Sequence, residues 1–546
     1  MIAVIAPFPS PDTVSEGWRS RIAAVDRLFE GERRVYVEIG DDRARTAPKP
    51  QHVSESVEVY RLDLALVAHY ERLRSIVLGA DMVYVHTIHF ARYVLPFYKT
   101  GKVVTDIHAA APEEELLYGR QASSRFYDEV EKVVLAESRY AIAVTHAMVD
   151  HFRRKHPRSR TEFIVLPVFE AMDPRSENDR KPRASSGRPS VIYSGSLQRW
   201  QNVDLMMDVA RAGISSFDFT FLTNDRESLQ RAARERRIDG RVRVQCATKA
   251  ELPGFYREAD YGLVLRDDLV VNRVSCPTKL SEYLWFGVIP VIKYAGLGDF
   301  SQLGYRYVTL EDFQARRLPN PTERRDMRRH NFEVIDTVRA TFEDGATKVR
   351  ELKDRLPKGS AEEVAFLSHL ERNVLFPAQS ELEIDVPGGT PAERRVLTEE
   401  FAGPYHAVTF DVEHVSRIDR LTWMPINREC RVVLKGVRIT DVSGREIGYR
   451  MSGNYSQRTG ASVTFHSRRP ELHFELETGC RLRQFAAEFD IVLIGDEVMR
   501  GRAEPSQGLG SALHQKIRAR LRSYPFIVMV YRRFVKPIAH GLRRAF

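Results

Sequence analysis

The sequence predicts two doubly wound α/β units in series, followed by an all-β sandwich and a basic amphipathic tail. Three observations carry this. Over the first 168 residues, short Val- and Ile-rich runs alternate with amphipathic helical stretches, the pattern of a parallel sheet covered on both faces. The alternation stops in a polar stretch with three prolines, 171–189, and then restarts. Beyond about residue 380 the helical period disappears, and strand-like runs are separated by turn residues alone.

In the first unit the expected strands are Ile2–Ala6, Val35–Ile39, Met82–His86, Lys102–Ile107, Tyr140–Thr145 and Glu162–Leu166. Helical spacing covers Gly17–Phe29 and Ser123–Ser138. The second unit offers Val191–Ser194, Phe217–Leu222, Val242–Cys246, Tyr261–Leu265 and Ile289–Lys293, and a charged helical stretch follows from 322 to about 372. Sandwich strands are expected at Ala407–Val412, Arg431–Val437, Ser462–Phe465, Leu472–Leu476 and Phe489–Ile494. The expected units are therefore 1–170, 186–372, 378–497 and 511–546. Two α/β units in series set a cleft between two rows of strand C-terminal ends, which is where open sheets bind ligands.

Hydrophobic residues make up 43% of the 546 positions and charged residues 29%, which excludes a disordered or fibrous chain. The net charge is +9, from 83 Lys and Arg against 74 Asp and Glu. Its location matters more than its size. Nine basic residues and no acidic ones lie in 511–546, so the remainder holds 74 of each sign. The four cysteines (Cys246, Cys276, Cys430, Cys480) are scattered, which argues against zinc and a disulfide framework and fits a reduced cytosol. The N-terminus reads as a first strand entering a turn, not as a signal peptide. The longest apolar run, Pro525–Tyr531, is far short of the ~20 residues that span a bilayer.

The most informative stretch is 259–293. A strand ends at Leu265, a polar loop follows, and Pro277 opens a helix in which Lys279 and Glu282 lie within the first two turns. Helix N-termini attract phosphate through free amides, Lys279 adds a point charge, and Glu282 offers an acceptor for ribose hydroxyls. Alone, a Lys-Leu-Ser-Glu segment reads more simply as an ordinary buried helix with a surface ion pair. The whole string, Asn272-Arg273-Val274, Pro277, Lys279, Glu282-Tyr283-Leu284, Gly287 and Pro290-Val291, resembles the donor-site signature of GT-B-fold glycosyltransferases of the retaining group 1 (family 4-like) class.

That resemblance implies two Rossmann-like domains facing a cleft, a nucleotide-sugar donor, retention at the anomeric carbon and no bound metal or cofactor. It implies that Glu282 grips the ribose and Lys279 the diphosphate. Strand Val191–Ser194 runs into Gly195, Ser196 and Arg199, where the family wraps the donor phosphates. The family's usual basic residues at this turn are Ser196 and Gln201 here, so neutralisation falls to Arg199, Arg266 or Lys279. The acidic partner expected eight residues before Glu282 is Val274, and Asn272 or Ser275 stands in. Ala247–Glu251 occupies the position where the family seats the base. In the first unit Gly17 and Trp18 open the first helix on the acceptor side. Thr105-Asp106-Ile107-His108, with Glu113, Glu114 and Glu115 after it, is similar to the family's DxHG-x-x-x-EE stretch. His108 there either hydrogen-bonds the sugar or stabilises developing charge, with His86 and His89 on the same wall. The rival for both histidines is a plain structural role.

Trp423, Tyr405, Tyr449 and Tyr455 fit either a carbohydrate-binding face or the core of a spacer. In the tail, Leu513, Ile517 and Leu521 recur every fourth residue beside Arg518 and Arg522, and Phe534, Ile538, Leu542 and Phe546 repeat the spacing. Basic amphipathic segments of this kind lie on anionic membranes. A nucleic-acid partner is not implied by a neutral body with a narrow basic tail. The expectation is a cytoplasmic transferase on the inner membrane face, with a glycan or lipid-linked acceptor. The rival is a non-catalytic glycan-binding or scaffolding protein on the same frame.

Overall fold

The computed structural model describes residues 1–9, 17–40, 48–64, 66–169, 187–357, 378–385, 395–401, 405–412, 418–467, 469–494 and 498. The tail at 511–546 lies outside them, as does most of the polar stretch at 171–189. Among the described residues no helix is long and apolar enough to cross a membrane.

The first sheet has eight strands: β1 (Ile2–Ile5), β2 (Arg34–Ile39), β3 (Gln51–Ser54), β4 (Val57–Leu62), β5 (Met82–His86), β6 (Val103–Ile107), β7 (Tyr140–Ala143) and β8 (Glu162–Val165). Their order is β3-β4-β2-β1-β5-β6-β7-β8, parallel except for β3. The order reverses between β1 and β5, which makes that junction the switch point of a doubly wound sheet. β3 and β4 were not expected from the sequence. All four β3 residues are exposed, and β4 interrupts its apolar run with Glu58 and Arg61, which pair with Arg33 and Glu38 on the surface. A search for continuous buried runs passes over an exposed edge strand such as β3 and a charge-interrupted one such as β4.

The second sheet comprises β9 (Ser190–Ser194), β10 (Asp218–Leu222), β11 (Arg243–Gln245), β12 (Tyr261–Val264), β13 (Ile289–Ile292) and β14 (Val308–Thr309). Its order, β11-β10-β9-β12-β13-β14, is that of the dinucleotide-binding fold, with the switch point between β9 and β12. The two-residue β14 is too short to leave a sequence signal. Two doubly wound sheets in this sequence make up the GT-B arrangement.

Two close approaches fix the site helices. Helix Thr278–Trp285 lies directly on β12 because Gly262 has no side chain; a Cβ there would sit 2.4 Å from the Tyr283 ring. Helix Pro321–Arg355 starts in a capping box, with Asn320 accepting from the Thr322 and Glu323 amides and Pro321 at its first position. Its second half returns to the first sheet. Ala346, Val349 and Leu352 share a core with Ile2, Val4 and Tyr84, and Gly345 lets the helix pass against the Val165 carbonyl. The two units also join at Asp299, whose carboxylate caps helix His146–Lys155 by accepting from the His146 and Ala147 amides at 2.8 and 2.9 Å.

The C-terminal region packs two antiparallel five-stranded sheets. Its strands are β15 (Ala378–Asp385), β16 (Arg395–Phe401), β17 (Tyr405–Asp411), β18 (Ile418–Met424), β19 (Cys430–Asp441), β20 (Tyr449–Gly453), β21 (Gln457–Thr459), β22 (Ser462–Phe465), β23 (Leu472–Cys480) and β24 (Leu482–Ile494). The sheets run β16-β15-β18-β23-β20 and β17-β24-β19-β22-β21. Trp423 is fully buried between them, in tilted and edge-on contact with Phe474, Phe485 and Phe489, and its indole N–H donates to Ser380 Oγ at 2.7 Å. Tyr449 and Tyr455 pack against the same core, edge-on to Phe474 and Phe465. Trp423 therefore belongs to the sandwich core, with Tyr449 and Tyr455 packed half-buried at its border. Arg428 docks the sandwich on the first unit through a buried ion pair, 3.1 Å from Asp63 at the C-terminal end of β4.

Candidate active site

The donor wall is assembled at the switch point of the second sheet. β9 ends at Ser194 and turns at Gly195, whose φ of +143° favours glycine and whose absent Cβ would lie 2.9 Å from Lys279 Nζ. β12, its neighbour across the switch, runs on into Arg266. Lys279, from the first turn of helix 278–285, thus reaches back beneath the Gly195 turn. It donates to Gln201 Oε1 at 2.7 Å and lies 4.3 Å from the centre of the Tyr193 ring. Burial holds the Lys279 ammonium well below the usual lysine pKa; Arg266 adds to this and Glu282 partly offsets it. Arg266 is likewise buried, which brings its pKa down to about 10. It bonds Ser275 Oγ at 3.1 Å and reaches Asn272 Oδ1 at 3.4 Å, while its Nε has no partner among the described residues. Two cations are thus buried beside an exposed glycine turn. This is expensive unless an anion arrives.

Glu282, half-buried on the same helix, accepts from Tyr256 Oη at 2.6 Å, and Tyr256 in turn meets Ser194 Oγ at 2.7 Å. The carboxylate is therefore oriented from the β9 side. Asn272 is wholly buried and gives its amide to the Asp267 carbonyl, so it serves mainly to hold the 266–275 loop around Arg266.

The facing wall comes from the C-terminal ends of β5 and β6. Asp106 is fully buried and takes two 3.0 Å bonds from Arg21, itself 1% exposed, and one from Tyr84 Oη at 3.0 Å. Burial opposes the charge on Asp106, but Arg21 and the neighbouring histidines bring its pKa down to about 2. His86 lies 3.6 Å from Asp106, and its ring centre is 6.1 Å from that of His108. Burial takes His86 down to about 3 and His108 to about 4, with Arg21 acting in the same direction, so both rings are neutral at physiological pH. Both His86 ring nitrogens and His108 Nε2 lack a hydrogen-bond partner among the described residues. One ligand atom from each of His86, Asp106 and His108 falls within 4.8 Å of the others. The Asp106 carboxylate, however, is already committed to Arg21 and Tyr84, so the trio is built as an ion pair carrying two neutral imidazoles.

The walls meet through helix Ala111–Leu117, which starts three residues after His108. Arg199 donates to the Leu117 carbonyl at 2.7 Å, and Tyr118 donates to Gln198. Cys276 lies within electrostatic reach of both Arg21 and Arg266, which brings the two charged centres to one junction.

Gly195, Ser196, Arg266, Asn272, Lys279 and Glu282 are thus gathered around one turn, with His86 and His108 on the opposing strand ends. Arg199 is exposed and bonded across the junction to the first unit. Gly17 begins the first helix, and Trp18 beside it is 36% exposed with Arg19 stacked on its ring at 4.8 Å. Sequence reasoning passed over Arg21, Tyr84, Tyr193 and Tyr256. They lie on regular helices and strands, where their only signal was their type.

No family model matches the chain, and no curated protein matches it. Among solved structures it is similar to sucrose-phosphate synthase from Thermosynechococcus elongatus, with 14% identity and a TM-score of 0.49 over 65% of this chain and 98% of that one. It is also similar to an E. coli trehalose-6-phosphate structure bound with UDP-2-fluoro glucose, with 11% identity and a TM-score of 0.47 over 65% of this chain and 100% of that one. A third is an alpha,alpha-trehalose-phosphate synthase (UDP-forming) from Burkholderia xenovorans in complex with glucose-6-phosphate, with 11% identity and a TM-score of 0.45 over 64% and 100% of the two chains.

Proposed function

We propose that the protein is a retaining glycosyltransferase. It takes a hexosyl group from a nucleotide-sugar donor and passes it to a glycan or lipid-linked acceptor in surface polysaccharide or glycoconjugate assembly. The observation that supports this best is the pair of buried cations, Lys279 and Arg266, converging under the open Gly195 turn at the β9/β12 switch point. A diphosphate seated there offsets the cost of burying both charges.

In this reading Lys279 and Arg266 stabilise charge as it gathers on the leaving diphosphate, without a resident metal or cofactor. Glu282, oriented by Tyr256, accepts from the ribose hydroxyls. The bond from the anomeric carbon to the diphosphate oxygen breaks, and the acceptor oxygen bonds to the same face of that carbon. The acceptor's proton passes to the departing diphosphate. His108, held neutral, hydrogen-bonds the sugar while positive charge develops on the ring, and Arg21 and Asp106 fix its surroundings. Gly17 and Trp18 line the acceptor entrance. The tail at 511–546 attaches the protein to the anionic inner face of the membrane, in the cytoplasm. Deleting it should release the full chain from vesicles containing phosphatidylserine; unchanged binding would refute the attachment.

Incubation with a panel of UDP-, GDP- and dTDP-sugars tests the enzyme reading. Hydrolysis or transfer of at least one donor is expected, with loss in Lys279→Ala and Glu282→Ala. If no donor binds, the scaffolding reading replaces it.

A further inference from the structure

Val274 leaves the donor wall without the carboxylate that would face the transferred sugar, yet the cleft does hold an acid. It comes from the other unit. Helix Ala111–Leu117 is pinned to the second unit at its end, by Arg199 on the Leu117 carbonyl and by Tyr118 on Gln198. Its middle therefore faces the loop after β12. Glu114 sits there half-buried, and the charged group it meets from the second unit is Arg266.

The three consecutive glutamates of this helix divide their partners. Glu113 turns toward helix 146–155, where Lys155 and His151 hold it at 3.1 and 3.4 Å. Glu115 faces His89 and Arg120. The Glu114 side chain makes no hydrogen bond among the described residues, and it lies within electrostatic reach of the Arg266 guanidinium, whose Nε has no hydrogen-bond partner among them. A carboxylate from one wall and a guanidinium from the other thus lie close across the junction.

We propose that Glu114 is the acidic residue of the cleft that binds a sugar hydroxyl between the two walls, supplying from the first unit what position 274 lacks in the second. This rests on the glycosyl-transfer reading. Its carboxylate form accepts a hydrogen bond from a hydroxyl of the transferred sugar and so holds the anomeric carbon in place as the bond to the diphosphate breaks. Burial raises the pKa of Glu114 to about 7, with Glu115 and Glu113 adding to the shift and Arg266 opposing it. Tyr118 at the helix end is the remaining titratable neighbour and itself titrates far above that range. Turnover should therefore fall as pH drops below about 7, a limb that His86 and His108, at about 3 and 4, do not produce.

The test measures hydrolysis of UDP-glucose, GDP-mannose and dTDP-glucose by the full chain, across pH 5–9, for wild type, Glu114→Gln and Glu114→Ala. Glu114→Ala should lose at least about tenfold in kcat with donor KM within about threefold. Glu114→Gln, which keeps shape and hydrogen bonding, should retain part of the rate and lose the acid limb. Wild-type kcat in Glu114→Ala, or an acid limb that persists in Glu114→Gln, overturns the assignment of Glu114 alone. A wild type that turns over none of the donors overturns the glycosyl-transfer reading and this inference with it.

Discussion

Replacing Lys279 with methionine should make the apo protein more stable and unable to bind its donor. Methionine keeps an unbranched chain of similar reach and removes the charge. Relieving a buried ammonium of its desolvation cost returns several kcal/mol. Against this stand about 1–3 kcal/mol for leaving Gln201 Oε1 without its donor, and about 1 kcal/mol for the lost contact with the Tyr193 face. The net is a gain of about 1 kcal/mol, or about 2–4 °C in Tm for a unit of this size. Because the folded pKa of Lys279 lies below its usual value, the cost to the wild type is full at low pH and fades as pH rises toward 10.5. The variant's advantage should narrow on the alkaline side. Donor affinity moves the other way: losing a charge-assisted contact with the diphosphate costs about 3 kcal/mol, more than a hundredfold in Kd. Scanning calorimetry across pH and titration calorimetry with nucleotide read the two effects. A lowered Tm together with unchanged nucleotide affinity would refute the reasoning.

Three further outcomes follow from the same geometry. Asp106→Asn leaves Arg21 buried without its counter-charge and should cost about 3–5 kcal/mol in urea unfolding. Since Asp106 is held at about 2, below its usual 3.8, the wild-type stability it provides is present above 3.8 and lost as pH falls through 2; the variant should lack that acid-side loss. Gly195→Ala places a Cβ 2.9 Å from Lys279 Nζ at a φ of +143°, and should weaken nucleotide binding by about tenfold or more through about 1–3 kcal/mol of strain. Trp423→Ala empties the sandwich core and should cost about 3–5 kcal/mol of stability while leaving nucleotide affinity unchanged; loss of glycan binding at wild-type stability would instead mark a sugar-stacking face.

The parallel sheets were legible because their strands are buried on both faces and read as apolar runs between helices. β3, β4 and β14 escaped because an exposed edge, a run interrupted by Glu58 and Arg61, or a two-residue strand leaves no such run. In the sandwich, β15, β16, β18, β20 and β21 escaped because charges such as Glu381, Glu383 and Arg420 break up their apolar residues. The 272–291 string was legible as a site because its proline, lysine, glutamate and glycine spacing is set by one helix between two strands. Arg21 was not, because its partner Asp106 lies 85 residues away and only the sheet brings the pair together. Glu114 had a visible motif, but its neighbour Arg266 comes from the other unit, and sequence spacing says nothing of contacts across a cleft.

The central claim is that Lys279 and Arg266 form a diphosphate site, and titration calorimetry of the full chain with UDP-, GDP- and dTDP-sugars tests it most directly. The account predicts micromolar binding of at least one donor by the wild type, and binding more than about a hundredfold weaker by Lys279→Met. Equal affinity in wild type and variant, or no binding of any donor by the wild type, would contradict it.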